Sequence, residues 1–136
     1  MNMGLEDMLL EIKDTSELMV DLAYSSLLYD NQDIAEEVIQ LHGRMDELGD
    51  EIEELAIKRA IEDRDSPKAL AIIRMSKSVR DISYAALKIA QVVRSDLPLH
   101  PVIELSLRDS DVIITTATVH PSSDLAGSTL GAVRLA

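Results

Sequence analysis

IAEEVIQLHGRMDELGDEIEEL, residues 34–55, is the stretch whose apolar spacing decides the fold. Its apolar residues recur at alternating intervals of four and three, at Ile34, Val38, Leu41, Met45, Leu48, Ile52 and Leu55. This heptad spacing places them along one side of a long helix, while acidic residues fill the other side. The pattern predicts a helix that is capped by Asp30 or Asn31 and ends near Asp63.

The same rhythm predicts one further helix on each side of this stretch. The first helix is expected to end near Tyr29, and the third to start with Ser66 as its cap and Pro67 in its first turn. The predicted seam of the third helix consists of Ile72, Met75, Val79, Ile82, Ala86, Ile89 and Val93. Short connections near residues 30 and 65 make sequential helices antiparallel. The expected fold is therefore mainly α, an up-down-up three-helix bundle.

A second apolar line on the first helix predicts contact with another chain. The line consists of Leu9, Val20, Ala23 and Leu27. Three helices of this length leave faces partly uncovered, so we expect a homodimer in which a second copy covers the line. The alternative is a monomer in which the line is internal.

Charge and composition limit the function classes. The formal charge is −12, with 19 acidic and 5 basic residues in 1–65 but 2 acidic and 6 basic residues in 66–98. An acidic surface repels phosphate backbones, which argues against nucleic-acid binding. The chain has no cysteine, which fits a reducing cytoplasm and removes thiolate chemistry. No apolar run is long enough to cross a bilayer, and no nucleophile motif is recognisable, so we expect a cytoplasmic, non-enzymatic protein without a cofactor and without direct membrane insertion.

The pattern changes after the third helix. Residues 98–110 predict a linker that contains a short helix. Residues 112–119, VIITTATV, are β-branched and predict a strand. A loop and a second short helix are expected to follow, and a lone strand needs further strands from elsewhere to form a sheet.

Two segments resemble known families. LLYDNQDIAEEVIQLHGRMDELGDEIEELAIK (27–58) and RDISYAALKIAQ (80–91) resemble the second and third helices of PhoU-like domains, with the resemblance covering about residues 5–95. SSDLAGSTLGAVRL (122–135) is similar to the opening of the TrkA C-terminal domain, the regulatory C-terminal domain of RCK proteins. The residues that carry the second resemblance are Leu125, Gly127, Thr129, Leu130, Gly131 and Leu135.

Together the resemblances imply a domain organisation. Residues 1–97 would form a PhoU-like bundle, 98–110 a linker, and 111–136 the first strand and helix of an incomplete α+β TrkA C-terminal domain. The combination implies a cytoplasmic regulator of a potassium or other cation channel or transporter subunit, with a small-molecule ligand in a longer form. The alternatives are a PhoU-type regulator of phosphate uptake and a plain dimeric scaffold.

The PhoU resemblance also implies where a metal would bind. In that family, carboxylates spaced Glu-x-x-x-Asp on facing helices can hold metal, and the matching positions here are His42 with Asp46 and Arg80 with Tyr84. Only one of these four residues is a carboxylate. We therefore predict no metal centre, with His42 and Asp46 as the weak candidates, and expect Arg80 to pair with Asp46 or Glu47.

Overall fold

The computed structural model describes residues 4–95, 97–98, 101–107, 117–129 and 131–133. Four helices occur in these residues: α1 (Leu5–Leu28), α2 (Gln32–Asp63), α3 (Ser66–Arg94) and α4 (Pro101–Leu107). The helices α1, α2 and α3 form an up-down-up bundle, so α1 and α3 run parallel and α2 is antiparallel to both. At one end of the bundle Gln32 Nε2 donates to the carbonyl of Val93 at 2.6 Å, which fixes the start of α2 beside the end of α3. The predicted three-helix architecture is confirmed.

Side-chain caps explain where α2 and α3 begin. The Asn31 side chain accepts hydrogen bonds from the backbone N–H groups of Asp33 and Ile34, each at 3.0 Å. These bonds satisfy two amides that have no partner inside the helix. The cap of α3 is Asp65 rather than the predicted Ser66, because the Asp65 carboxylate accepts from the amide of Lys68 at 3.2 Å.

The core lies between the three long helices. On α2 the predicted seam is confirmed at its centre, since Val38, Met45, Leu48 and Ile52 are all fully buried. These side chains meet a cluster from the other two helices that includes Leu5, Met8, Ile12, Met19, Leu22, Ala86, Ala90 and Val93. Burial of these apolar side chains is the main favourable contribution to the fold.

The face that α3 buries differs from the prediction. Met75 and Ile82 were expected in the core, but they are 45% and 46% exposed. The buried face is made largely of small residues, namely Ala69, Ser76, Ser83, Ala86 and Ala90. Small side chains allow α3 to approach its neighbours closely, and the larger apolar side chains are turned toward the outside.

The second apolar line of α1 is also placed differently. Ala23 and Leu27 are buried inside the chain, whereas Leu9 and Val20 are half-buried at its edge. The prediction that all four residues face a second copy is therefore wrong for Ala23 and Leu27. These two side chains pack into the bundle itself.

The described residues after α3 carry less regular structure than predicted for them. The helix α4 lies inside the expected linker and packs on α1. Residues 112–116 of the predicted strand lie outside the described residues, and 117–119 have no regular secondary structure. The described residues of 121–133 form turns where a short helix was expected, and no β-strand occurs in the described parts of the chain. Within the same residues, no helix has both the length and the apolar character needed to cross a bilayer.

Candidate functional site

A cleft on the outer side of α2 and α3 gathers the four positions that the sequence singled out. We call it the α2–α3 cleft. It is lined by His42, Asp46, Lys77, Arg80, Asp81 and Tyr84. His42 and Asp46 are four residues apart on α2 and therefore point the same way. Arg80 and Tyr84 have the same spacing on α3, so the two pairs face each other across the antiparallel contact.

His42 is held in the floor of the cleft by a buried serine. Its Nδ1 lies 2.9 Å from Ser83 Oγ, and its Nε2 lies 3.5 Å from Asp46 Oδ2. The Ser83 hydroxyl donates to the sulfur of Met19 at 3.4 Å, so its oxygen is left to accept from His42 Nδ1–H. This network orients the imidazole with Nε2 toward Asp46, and it joins all three long helices.

Arg80 closes one end of the cleft through two ion pairs with α2. Its guanidinium lies 3.0 Å from Asp50 and 2.6 Å from Glu53. The Arg80 side chain is only 24% exposed, so water screens these contacts less than it screens a typical surface pair. The predicted pairing with Asp46 or Glu47 is wrong, because Arg80 reaches acidic residues farther along α2 instead.

Gly49 explains how Arg80 reaches those carboxylates. A Cβ atom at position 49 would lie 2.5 Å from Arg80 Cδ and 2.7 Å from its Nε, far inside van der Waals contact. A side chain at position 49 would therefore force the arginine to shift from its present path across α2. Glycine has a lower helix propensity than alanine. At position 49 this cost is accompanied by the contact that Arg80 makes across α2.

Tyr84 forms the opposite wall and is half-exposed. Its ring centroid lies 6.2 Å from that of His42 at a tilt of 53°, within the range of aromatic pairs. The ammonium group of Lys88 lies 4.9 Å from the Tyr84 centroid, which is a cation–π distance. Lys77 and Asp81 complete the rim and have no ionic partner among the described residues.

The donor set of the cleft does not suit a metal centre. In the described residues, no group of three or more His, Cys, Asp or Glu side chains is arranged to hold an ion. Arg80 brings a permanent positive charge to the same cleft, which opposes the binding of a metal cation. His42 and Asp46 remain adjacent, and the Nδ1 of His42 is already hydrogen-bonded to Ser83.

The TrkA-like residues lie in the turn segments that follow α4. Leu125, Gly127, Thr129 and Gly131 are described there, whereas Leu130 lies outside the described residues. Gly127 has a φ of +73°, a conformation that favours glycine. None of the described residues in this segment lines the α2–α3 cleft.

Sequence reasoning missed Gly49, Asp50 and Glu53 as the residues that receive Arg80 beside the cleft. A signal was present, because Gly49 directly follows the seam residue Leu48 and so lies at the edge of the buried side. A glycine at such a position leaves room for a long arginine or lysine side chain from a neighbouring helix. Acidic residues within the next turn give that side chain a partner.

Comparison with known families agrees with the three-helix bundle. The family model of the PhoU domain matches residues 9–93. This range covers more than half of the chain and includes all of α2 and nearly all of α1 and α3. The chain therefore belongs to the PhoU domain family, which indicates a regulatory helical protein. A search among curated proteins returns no match.

Proposed function

We propose that the protein is a cytoplasmic, non-enzymatic regulator of a potassium or other cation channel or transporter, which acts through protein contact at the α2–α3 cleft. The observation that carries this proposal is the pairing of Arg80 with Asp50 and Glu53. Arg80 stands at one of the four positions that the resemblance to PhoU-like domains assigns to metal-binding carboxylates. A cleft closed by ion pairs keeps its shape without a metal. Lys77, Asp81 and Tyr84 then remain as an exposed polar rim that a partner can recognise.

The proposal that the transported ion is a cation rests on the sequence after the bundle rather than on the bundle itself. The TrkA-like segment follows a PhoU domain here in the order expected for regulators of cation transport. The positive φ of Gly127 gives one residue of that segment a conformational reason to be glycine. In a longer form of the protein, such a domain would bind a small molecule and transmit its occupancy to the bundle, which requires that the ligand favours one of two conformations.

A PhoU domain is equally consistent with regulation of phosphate uptake, which is the second candidate. The family match carries no information about the transported ion, so it fits both candidates. The residues that line the cleft, which include Lys77 and Arg80, weigh against a version of this function that depends on a metal. A dimeric scaffold without any transport partner is the remaining alternative.

Catalysis is disfavoured by the burial of the one nucleophile–base pair in the cleft. Ser83 and His42 are 2.9 Å apart, as a serine nucleophile and its base would be. However, Ser83 is 0% exposed and its hydroxyl donates to Met19. No substrate carbonyl can approach this oxygen, so the pair fits a structural role.

Uptake measurements in a strain that lacks the gene would test the proposal. We expect rubidium or potassium uptake to change while phosphate uptake stays normal, and the wild-type gene to restore it. Lys77→Glu reverses the charge of the cleft rim and should not restore regulation. Lys58→Glu is the matched control, because Lys58 is an exposed lysine of α2 outside the cleft.

The opposite outcomes are equally informative. A change in phosphate uptake with normal cation uptake would establish the second candidate. No change in either cation or phosphate uptake would overturn the proposal and leave the dimeric scaffold as the remaining alternative. Equal behaviour of the Lys77→Glu and Lys58→Glu proteins would remove the cleft from the mechanism.

A further inference from the structure

The outward side of α3 carries a second heptad series that the bundle does not use. We call it the outer strip. Its members are Ala71, Met75, Ser78, Ile82, Ala85, Ile89 and Val92. The intervals alternate between four and three, as in a coiled-coil seam, and the strip extends about 32 Å along the helix. All members are exposed except Ile89, which is half-buried, and none carries a charge.

Such a strip is unusual on a chain in which 28% of the residues are charged. Met75 and Ile82 expose close to half of their surfaces, and Val92 exposes 40%. The only polar member, Ser78, already donates its hydroxyl to the carbonyl of Arg74 at 3.0 Å, so burying it would leave no unpaired donor. Among the described elements, α4 packs on α1 and not on this strip.

We infer that the outer strip is the interface of a parallel homodimer, in which α3 of one copy packs along α3 of the other about a two-fold axis parallel to the helices. This inference identifies a surface for self-association and does not depend on which ion is regulated. The small residues Ser78 and Ala85 would let the two helices approach, while Met75, Ile82 and Ile89 would pack against their symmetry mates.

Charges beside the strip select a second copy in this orientation. One charged residue precedes each of Met75, Ile82 and Ile89 along α3. We call this row the flank. It consists of Arg74, Asp81 and Lys88, whose charges are positive, negative and positive. On the other side of the strip, α1 forms a wall that lines the same grooves as Met75 and Ile82. The charged residues of this wall are Glu6, Lys13, Glu17 and Asp21.

In a parallel dimer the flank of one copy faces the α1 wall of the other. Met19 of α1 contacts Ser83 of α3, so these two residues lie at the same height along the bundle. Because α1 and α3 run parallel, any residue of α1 lies near the height of the α3 residue 64 positions later. Glu6 then lies about four residues, or about 6 Å, from the level of Arg74 in the other copy. Lys13 likewise lies about four residues, or about 6 Å, from the level of Asp81 in the other copy.

The last pair continues the match, since Asp21 stands about three residues, or about 4.5 Å, from the level of Lys88 in the other copy. Long side chains span such offsets. Glu17 adds a further negative charge to the wall. Within one chain Lys13 lies 3.2 Å from Glu17, and Glu6 lies 3.3 Å from Arg59, so the contacts to the other copy would share these exposed groups. The wall is therefore acidic overall and the flank basic overall, which is the complementarity that a specific interface uses.

An antiparallel dimer along the same strip would place like charges together. Asp81 would face its own symmetry mate, and Arg74 would face Lys88 of the second copy. Like charges in register oppose association. The parallel arrangement also brings both α3 C-termini to one end, so the segments that follow Ser95 leave the two copies side by side.

The mass of the full chain in solution tests the interface. Light scattering should give twice the 15.0 kDa chain mass for the wild-type protein. Ile82→Glu should reduce it to one chain without loss of helical circular dichroism, since two carboxylates would meet on the axis. Ile57→Glu is the matched control and should remain two-chain, because Ile57 is a 52% exposed isoleucine on α2. Met75→Lys provides a second disruptive variant if Ile82→Glu does not fold.

Cysteine cross-linking tests the orientation, since the chain has no cysteine of its own. In a parallel dimer, Ala71→Cys protein should oxidise to a disulfide-linked dimer with itself, and so should Val92→Cys protein. Efficient cross-linking only in a mixture of the two variants would establish the antiparallel arrangement and overturn the inference. A wild-type protein of single-chain mass, or an Ile82→Glu protein that stays two-chain, would overturn it as well.

Discussion

Gly49 is the residue on which the geometry of the α2–α3 cleft depends most directly. Its missing side chain leaves the space in which Arg80 crosses α2 and reaches Asp50 and Glu53. Gly43 offers a natural comparison on the same helix, because a Cβ atom there would meet nothing within 4 Å. The two glycines thus have the same helix-propensity cost but different neighbours.

Substitution of Gly49 by alanine should change the free energy of unfolding in opposite directions in the wild-type chain and in an Arg80→Ala chain. In the wild-type chain, Gly49→Ala should lower the free energy of unfolding, because the new methyl group displaces Arg80 from both carboxylates. In an Arg80→Ala background the same change should raise it by about 1 kcal/mol, the ordinary gain of alanine over glycine inside a helix. Urea unfolding of the four proteins measures both effects and their coupling.

Gly43→Ala is the control for this cycle. It should raise the free energy of unfolding by about 1 kcal/mol whether or not Arg80 is present. If Gly49→Ala behaves like Gly43→Ala in the wild-type chain, Arg80 does not depend on the space above Gly49.

At the scale of the element, α3 shows where sequence periodicity succeeds and where it does not. The ends of the helix were predictable, because Pro67 and the polar residues before it allow a start and Pro98 follows the end. The buried face was not, because Ser76 and Ser83 carry little hydrophobic signal although both are fully buried. The larger apolar residues Met75 and Ile82 dominated the pattern instead, and they lie outside the core.

The two buried serines of α3 should respond in opposite ways to alanine. Ser83 accepts from His42 and donates to Met19, so Ser83→Ala should lower the free energy of unfolding by about 1 kcal/mol. Ser76 Oγ is buried without a hydrogen-bond partner, so Ser76→Ala removes an unsatisfied group and should raise it by about 1 kcal/mol. Thermal and urea unfolding of both variants would measure the difference.

These variants control for each other, since both remove one hydroxyl from a fully buried position of the same helix. A loss of stability for Ser76→Ala equal to that for Ser83→Ala would mean that the hydrogen bonds of Ser83 add nothing beyond the packing of its side chain.

At the scale of the whole molecule, the sequence predicted the bundle better than the cleft. Heptad spacing over 34–55 fixed the helix, its buried side and hence the three-helix arrangement, because a regular apolar series has few ways to be buried. The partners of Arg80 depend on the packing distance between α2 and α3 and on the space above Gly49. Such distances follow from the assembled bundle and cannot be read from spacing along one helix.

We expect ion pairs of Arg80 with Asp50 and Glu53, rather than a metal, to hold α2 and α3 together beside the cleft. The most direct test is the metal content of the purified protein by mass spectrometry, with its melting temperature measured in the presence and absence of a chelator. We expect far less than one equivalent of iron, zinc or magnesium per chain and no change in melting temperature on chelation. One or more equivalents, lost on chelation together with a lower melting temperature and absent from the His42→Ala protein, would contradict it.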